Sequence, residues 1–187
     1  QLLSKTLPDA GLMEYTNIII EEVDRLRDLV DRMLGSHEPP ALSPLNIHEV
    51  LERAQSLLRV ECGEAIAFER DYDPSVPDVL GDRDQLLQVV LNVMRNAAQA
   101  LQESGTNFAR VVLRTRVQRQ FTIGKQQHKL VCRVDIVDNG PGIPADIQDT
   151  IFFPMISGRA EGTGLGLAIA QSIMAQHRGM IECESVP

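Results

Sequence analysis

A chain of 187 residues, 43% of them hydrophobic, is long enough to bury one core and carry an appendage. Its formal net charge of -8 opposes duplex nucleic acid and anionic membrane surfaces, and no apolar run reaches the ~20 residues that span a bilayer, so no nucleic acid and no membrane is expected as a partner. The chain opens Gln1-Leu2-Leu3 without a methionine or signal peptide, and Cys62, Cys132 and Cys183 lack metal-like spacing; a cytoplasmic segment of a longer protein, with buried thiols that do no chemistry, is expected.

Residues 1 to 7 read as the tail of a helix that ends at the turn Pro8-Asp9-Ala10-Gly11. Leu12, Thr16, Ile19, Val23, Leu26, Val30 and Met33 then form a heptad seam on a helix reaching about Leu34, widened by Ile18, Ile20 and Leu29. This predicts half of a helical hairpin that seeks helical partners, with docking on its own domain as the alternative. Gly35-Ser36-His37-Glu38-Pro39-Pro40 cannot continue a helix and marks a linker, so domains of 1–40 and 41–187 are expected. Beyond it, periodicity predicts a helix at 46–61, a strand at 65–71, a long helix at 84–102 and strands at 109–119 and 129–138. A glycine- and proline-rich segment at 139–166, a helix to about 177 and a strand at 180–185 follow. Helices and strands alternate while some strands meet through short turns, as around Gly124, so the predicted class is an α/β (α+β) two-layer sandwich of a mixed sheet and helices.

The helix from Asp84 is apolar except for one stripe: Gln85, Gln88, Asn92, Asn96 and Gln99. Asparagine costs roughly half a kcal/mol relative to alanine within a helix, and an amide oxygen can ligate a hard cation alongside nucleotide phosphates; a solvated face is the alternative. The strand ending in Asp138 delivers a carboxylate to a turn rich in glycine and proline. There it can accept a hydrogen bond from an exocyclic amine such as adenine N6, or it can simply cap the turn. Gly140-x-Gly142-x-x-Ala145 is not a dinucleotide loop, because Pro141 and Pro144 remove the amides such a loop needs and Asp138 would face the pyrophosphate. Gly162, Gly164 and Gly166 immediately precede a helix whose opening N–H groups suit a phosphate, with Thr163 adding a hydroxyl and Leu165 and Leu167 anchoring the turn. Between the glycine clusters, Phe152 to Arg159 reads as a short lid, and Arg159 either reaches a terminal phosphate or is solvated.

Asn92-x-x-x-Asn96-Ala97, Asp138-x-Gly140-x-Gly142, Phe152-Phe153 and Gly162-x-Gly164-x-Gly166 occur in the order of the N, G1, F and G2 boxes, and the chain resembles the sensor histidine kinases. The wider ATPase group with Hsp90, gyrase and MutL shares these boxes more loosely. The run Arg95 to Leu101 and the closeness of Phe153 to Gly166 look most like the nitrogen-regulation branch. The resemblance implies ATP and Mg²⁺ as cofactors, with Asn96 as metal ligand, Asn92 supporting the triphosphate and Asp138 reading adenine. It implies a binding set of Asn92, Asn96, Asp138, Gly140, Gly142, Ile143, Phe152, Arg159, Gly162, Thr163, Gly164, Leu165, Gly166 and Leu167. It further implies an NtrC-like response regulator, a PII-type signal protein and a homodimer through the hairpin as partners. The His-Glu-x-x-Asn-Pro block that carries the phosphoacceptor in this family is absent from these residues, so no catalytic residue is expected within them. His37, His48, His128 and His177 read as surface or packing histidines. The chain is also expected to lack the family's last sheet strand. A second class remains open beside the kinase: a nucleotide-dependent interaction or phosphatase-regulating module without kinase activity in this segment.

Overall fold

The computed structural model describes residues 40–156 and 164–185, which lie in the unit Pro39–Pro187. The expected hairpin and linker at 1–39 fall outside the described residues.

The chain enters through a short strand, β1 (Ser43–Leu45), and helix α1 (Ile47–Cys62). Asn46 caps α1 by accepting the His48 N–H at 2.9 Å. Ile47, Val50, Leu51, Ala54, Gln55 and Leu58 make its buried stripe at helical spacing. Strands β2 (Ala67–Asp71) and β3 (Val79–Gly81) follow, then helix α2 (Arg83–Glu103). Its buried side is Leu86, Val89, Val90, Met94, Ala97, Ala98 and Leu101. Strands β4 (Arg110–Ile123) and β5 (Gln126–Asp138) form a long hairpin through Gly124, and helices α3 (Ala145–Gln148) and α4 (Gly166–Gln176) complete the described elements.

The main sheet has the order β2-β4-β5, with β2 parallel to β4 and β4 antiparallel to β5, so it is mixed as the sequence predicts. One sheet face is covered by α1 and α2: Val111, Leu113 and Thr115 of β4 are fully buried there beside Phe68, Leu51 and Met94. The opposite face carries charge, with Asp71 pairing both Arg114 and Arg116 at 2.7 Å. That asymmetry makes two layers rather than three. Among the described residues no helix is long and apolar enough to cross a membrane.

Three features depart from the sequence expectation. Strands β1 and β3 pair antiparallel in a separate two-stranded ladder, each only three residues long and therefore too short for periodicity to reveal. The strand expected at 180–185 is not formed; residues 179–185 carry no regular structure. The alternation of Ile181, Glu182, Cys183 and Glu184 can describe a strand but cannot supply a partner ladder. Instead Ser185 Oγ accepts the Ile143 N–H at 2.7 Å, binding this segment to the loop after β5. The thiols are half-buried rather than buried, and burial pushes Cys132 up to about 11, which keeps it protonated and unreactive.

Asp82 caps α2: Oδ1 accepts the N–H groups of Asp84 and Gln85, and Oδ2 that of Ala41. These donors, Gln85 first, hold its carboxyl below the usual carboxylate range. A depressed folded pKa stabilises the fold above the unfolded value near ~4, and the benefit disappears as pH falls through the folded value. Asp82→Ala is expected to cost about 1 kcal/mol at pH 7 in urea unfolding. The gap to the unaltered chain should narrow toward pH 3; a constant gap would assign the loss to something other than the ionised cap.

Candidate nucleotide site

The loop after β5 and the opening of α4 both reach helix α2. At one end the Asn92 amide donates Nδ2–H to the Gly166 carbonyl at 3.0 Å, tying the middle of α2 to the first residue of α4. At the other end Gly140 sits against α2, where a Cβ would meet Leu101 Cδ2 at 3.6 Å. Asn96 lies one turn beyond Asn92, half-buried, between these ends. At ~1.5 Å per residue, Asn92 and Leu101 stand about 14 Å apart along the helix axis. The opening of α4 thus meets α2 at the asparagine stripe, whereas the Asp138 turn meets it about two and a half turns on, at Leu101 of the buried face.

Asp138 is exposed at the end of β5, and its Oδ1 accepts the Gly140 N–H at 2.8 Å. The turn-capping role is therefore real, and it fixes the carboxylate at the rim. A Cβ on Gly140 would stand 2.7 Å from that Oδ1, so glycine is what allows the carboxylate to fold onto the turn. Gly142 has φ +77 and Ile143 is held by Ser185, which together set the course of the loop past the rim. Phe152 is half-buried beside buried Ile151, whereas Phe153 is 57% exposed.

The start of α4 is built differently. Leu165 occupies the N-cap position without a side-chain cap, so the first N–H groups of α4 are left to other acceptors. Leu165 itself is buried, as its flanking position predicts, and Leu167 is half-buried. Gly164 adopts φ +65 and packs so closely on the chain before it that a Cβ would lie 2.7 Å from Met155 C and Ile156 N. Its carbonyl accepts the Met155 N–H at 3.1 Å. Positions 155 and 164 are thereby joined at the neck of the segment 157–163. Arg159, Gly162 and Thr163 belong to that segment and lie outside the described residues.

Sequence reasoning missed two clasps. Asn139, read only as part of a turn, accepts the Arg110 N–H at 2.8 Å and donates to the Phe108 carbonyl at 3.1 Å, fastening the entry of β4 to the Asp138 turn. Its partners stand some 30 residues upstream, and no local pattern announces them. His177 is the other: Nε2 accepts the Asp82 N–H at 2.9 Å while Nδ1 stands 2.8 Å from the Ile173 carbonyl. Among the described residues no group of three or more His, Cys, Asp or Glu side chains could hold a metal ion. A cation here would need ligands beyond such a cluster, and a half-buried amide beside a helix start without a side-chain cap could suit a hard cation that keeps waters and shares the oxygens of a bound phosphate.

Residues 81–187 match the family of histidine kinase-, DNA gyrase B-, and HSP90-like ATPases. The chain is 51% identical over 187 residues to the sensory histidine kinase/phosphatase NtrB of Vibrio alginolyticus and 50% identical to that of Escherichia coli O157:H7, covering all of this chain and 53% of each relative. The chain thus spans about half the length of the curated relatives it matches. Among solved structures, the mycobacterial sensor histidine kinase MprB is similar with a TM-score of 0.56 and 29% identity, over 73% of this chain and 80% of that one. A full-length ShkA structure in complex with AMPPNP shares the fold with a TM-score of 0.61 at 24% identity, over 94% of this chain and 36% of that one.

Proposed function

Because the chain belongs to the histidine kinase-, DNA gyrase B-, and HSP90-like ATPase family, we propose that residues 41–187 are the catalytic ATP-binding domain of a cytoplasmic sensor histidine kinase of nitrogen regulation, preceded by part of a dimerisation hairpin. The observation that carries this reading is the Asn92 to Gly166 hydrogen bond, which sets the phosphate-accepting start of α4 against the amide stripe of α2. Adenine would lie at the Asp138 end and the triphosphate at the α4 end.

Position 92 also decides the type of reaction. Hydrolytic relatives, by the resemblance, carry a glutamate there that activates water or a hydroxyl as general base. An amide takes no proton, and the Asn92 amide donates one of its N–H groups to the Gly166 carbonyl. The site therefore favours an acceptor that needs no activation. An imidazole nitrogen attacks the γ-phosphorus, the N–P bond forms as the bond to the bridging oxygen breaks, the electron pair leaves on ADP and the imidazole proton goes to solvent. Mg²⁺, held by Asn96 and the phosphates, would supply charge neutralisation. The chain's own part is positioning and N–H donation to phosphate oxygens from the start of α4. The phosphoryl group would then pass to an aspartate of an NtrC-like response regulator, under control of a PII-type signal protein, in a homodimer. The relatives' names, kinase/phosphatase, support carrying the reverse control of the regulator as part of the same proposal.

Incubating the chain with ATP, Mg²⁺ and a separate hairpin bearing the family's histidine block is expected to give acid-labile phosphohistidine on the hairpin. ATP binding without transfer to any histidine hairpin would leave the interaction-module reading in its place.

A further inference from the structure

Helix α4 is fixed to α2 at both ends. Gly166, at its start, takes the Asn92 amide; His177, at its end, takes the Asp82 N–H, so the two helices run antiparallel between two polar clasps. The geometry of the second clasp specifies the protonation of the ring. A backbone N–H can only donate, so Nε2 must present its lone pair; a carbonyl can only accept, so Nδ1, 2.8 Å from the Ile173 oxygen, must carry the proton. His177 is held as the neutral Nδ1–H tautomer. Its ring lies on Gly81, where a Cβ would come within 3.4 Å of Cδ2, beside Leu45.

We propose that neutral His177 is the positioning residue that sets the register of α4 on α2, and that its protonation releases the nucleotide site. The proposal rests on the nucleotide reading above. Protonation turns Nε2 into a donor facing the Asp82 N–H, and the clasp becomes two donors. Among the described residues, the Asp82 carboxylate at the cap of α2 interacts electrostatically with the ring and Arg178 follows it in the chain, while Leu45, Gly81 and Leu86, gathered at the same place, are uncharged. The imidazolium therefore has one new partner, the Asp82 carboxylate, whose oxygens already accept the N–H groups of Ala41, Asp84 and Gln85. Taking that partner shifts α4 at its end and loosens the cap of α2. Because Asn92 and Gly166 sit at the other end of the same helix pair, the phosphate-accepting amides move off the amide stripe. Two discrete hydrogen-bond arrangements, rather than a gradual loosening, make this a two-state element. Linkage then requires the converse: bound nucleotide must favour the clasp with Nε2 accepting.

The test combines calorimetry with imidazole ¹⁵N NMR on the 187-residue chain. ATP with Mg²⁺ is titrated at pH 8 and pH 5.5 into the unaltered protein, His177→Gln and His177→Leu. Glutamine can accept the Asp82 N–H and does not titrate; leucine cannot accept it. The unaltered chain is expected to lose about tenfold more affinity than His177→Gln on going to pH 5.5, since the glutamine variant carries only the protonation of ATP itself. His177→Leu is expected to bind weakly at both values, with glutamine restoring the affinity at pH 8. The His177 resonances at pH 8 should show the Nδ1–H tautomer, with and without ATP. Equal pH dependence in the unaltered and glutamine proteins, or an Nε2–H tautomer, overturns the proposal while leaving the nucleotide site intact. Absence of ATP binding by folded, unaltered chain at pH 8 removes the nucleotide reading itself and the linkage with it.

Discussion

Gly164→Ala is expected to lower the melting temperature by about 5–10 °C and to cost at least tenfold in ATP affinity. The added Cβ would stand 2.7 Å from Met155 C and Ile156 N and 2.8 Å from the Ile156 oxygen, all of them backbone atoms with no rotamer to change. The backbone is also left-handed, at φ +65, where an alanine costs about 1–2 kcal/mol and the overpacking a further ~1–3 kcal/mol. The damage should reach the nucleotide because the same residue closes the neck with Met155 and leads directly into the N-terminal turn of α4. Calorimetric scanning and ATP titration check both halves. An unchanged melting temperature would show that the neck is not closed as described.

Asp138→Asn is the second large effect, and it separates recognition from folding. The substitution keeps the volume, and an amide oxygen can still accept the Gly140 N–H. With that oxygen engaged, the outward atom is the NH₂ group, a donor facing the exocyclic amine of adenine. ATP affinity is expected to fall about 100-fold, roughly 2.7 kcal/mol, while the melting temperature stays within about 1 °C. Titration of the variant beside the unaltered chain decides it; equal affinity would leave Asp138 with turn capping alone.

How far the molecule was legible in its sequence follows from which forces are local. Helices α1 and α2 were readable because Val50, Leu51, Ala54 and Leu58, and Leu86, Val90, Met94 and Leu101, repeat at helical spacing, whereas the caps Asn46 and Asp82 were supplied by the structure. The β4–β5 hairpin followed from alternation on either side of Gly124. What escaped was pairing between distant short segments: β1 with β3, Asn139 with Phe108 and Arg110, His177 with Asp82. A three-residue strand or a single side-chain clasp leaves no period to detect. The reverse error, the strand at 180–185, came from the same source, since alternation states which faces a segment would present and says nothing of a ladder beside it. Within the site, the asparagine stripe, the Asp138 turn and Gly164 to Gly166 were visible as motifs, whereas their mutual placement depended on α4 lying antiparallel on α2.

The central claim is an adenine-nucleotide site laid along α2, and calorimetric titration of the chain with ATP and with GTP, each with and without Mg²⁺, tests it most directly. ATP should bind at least tenfold more tightly than GTP, because Asp138 would accept from the adenine amine but would face the guanine O6 oxygen, and Mg²⁺ should strengthen ATP binding in the unaltered chain but not in Asn96→Ala. Equal affinity for ATP and GTP, or no binding of either by folded protein, would contradict it.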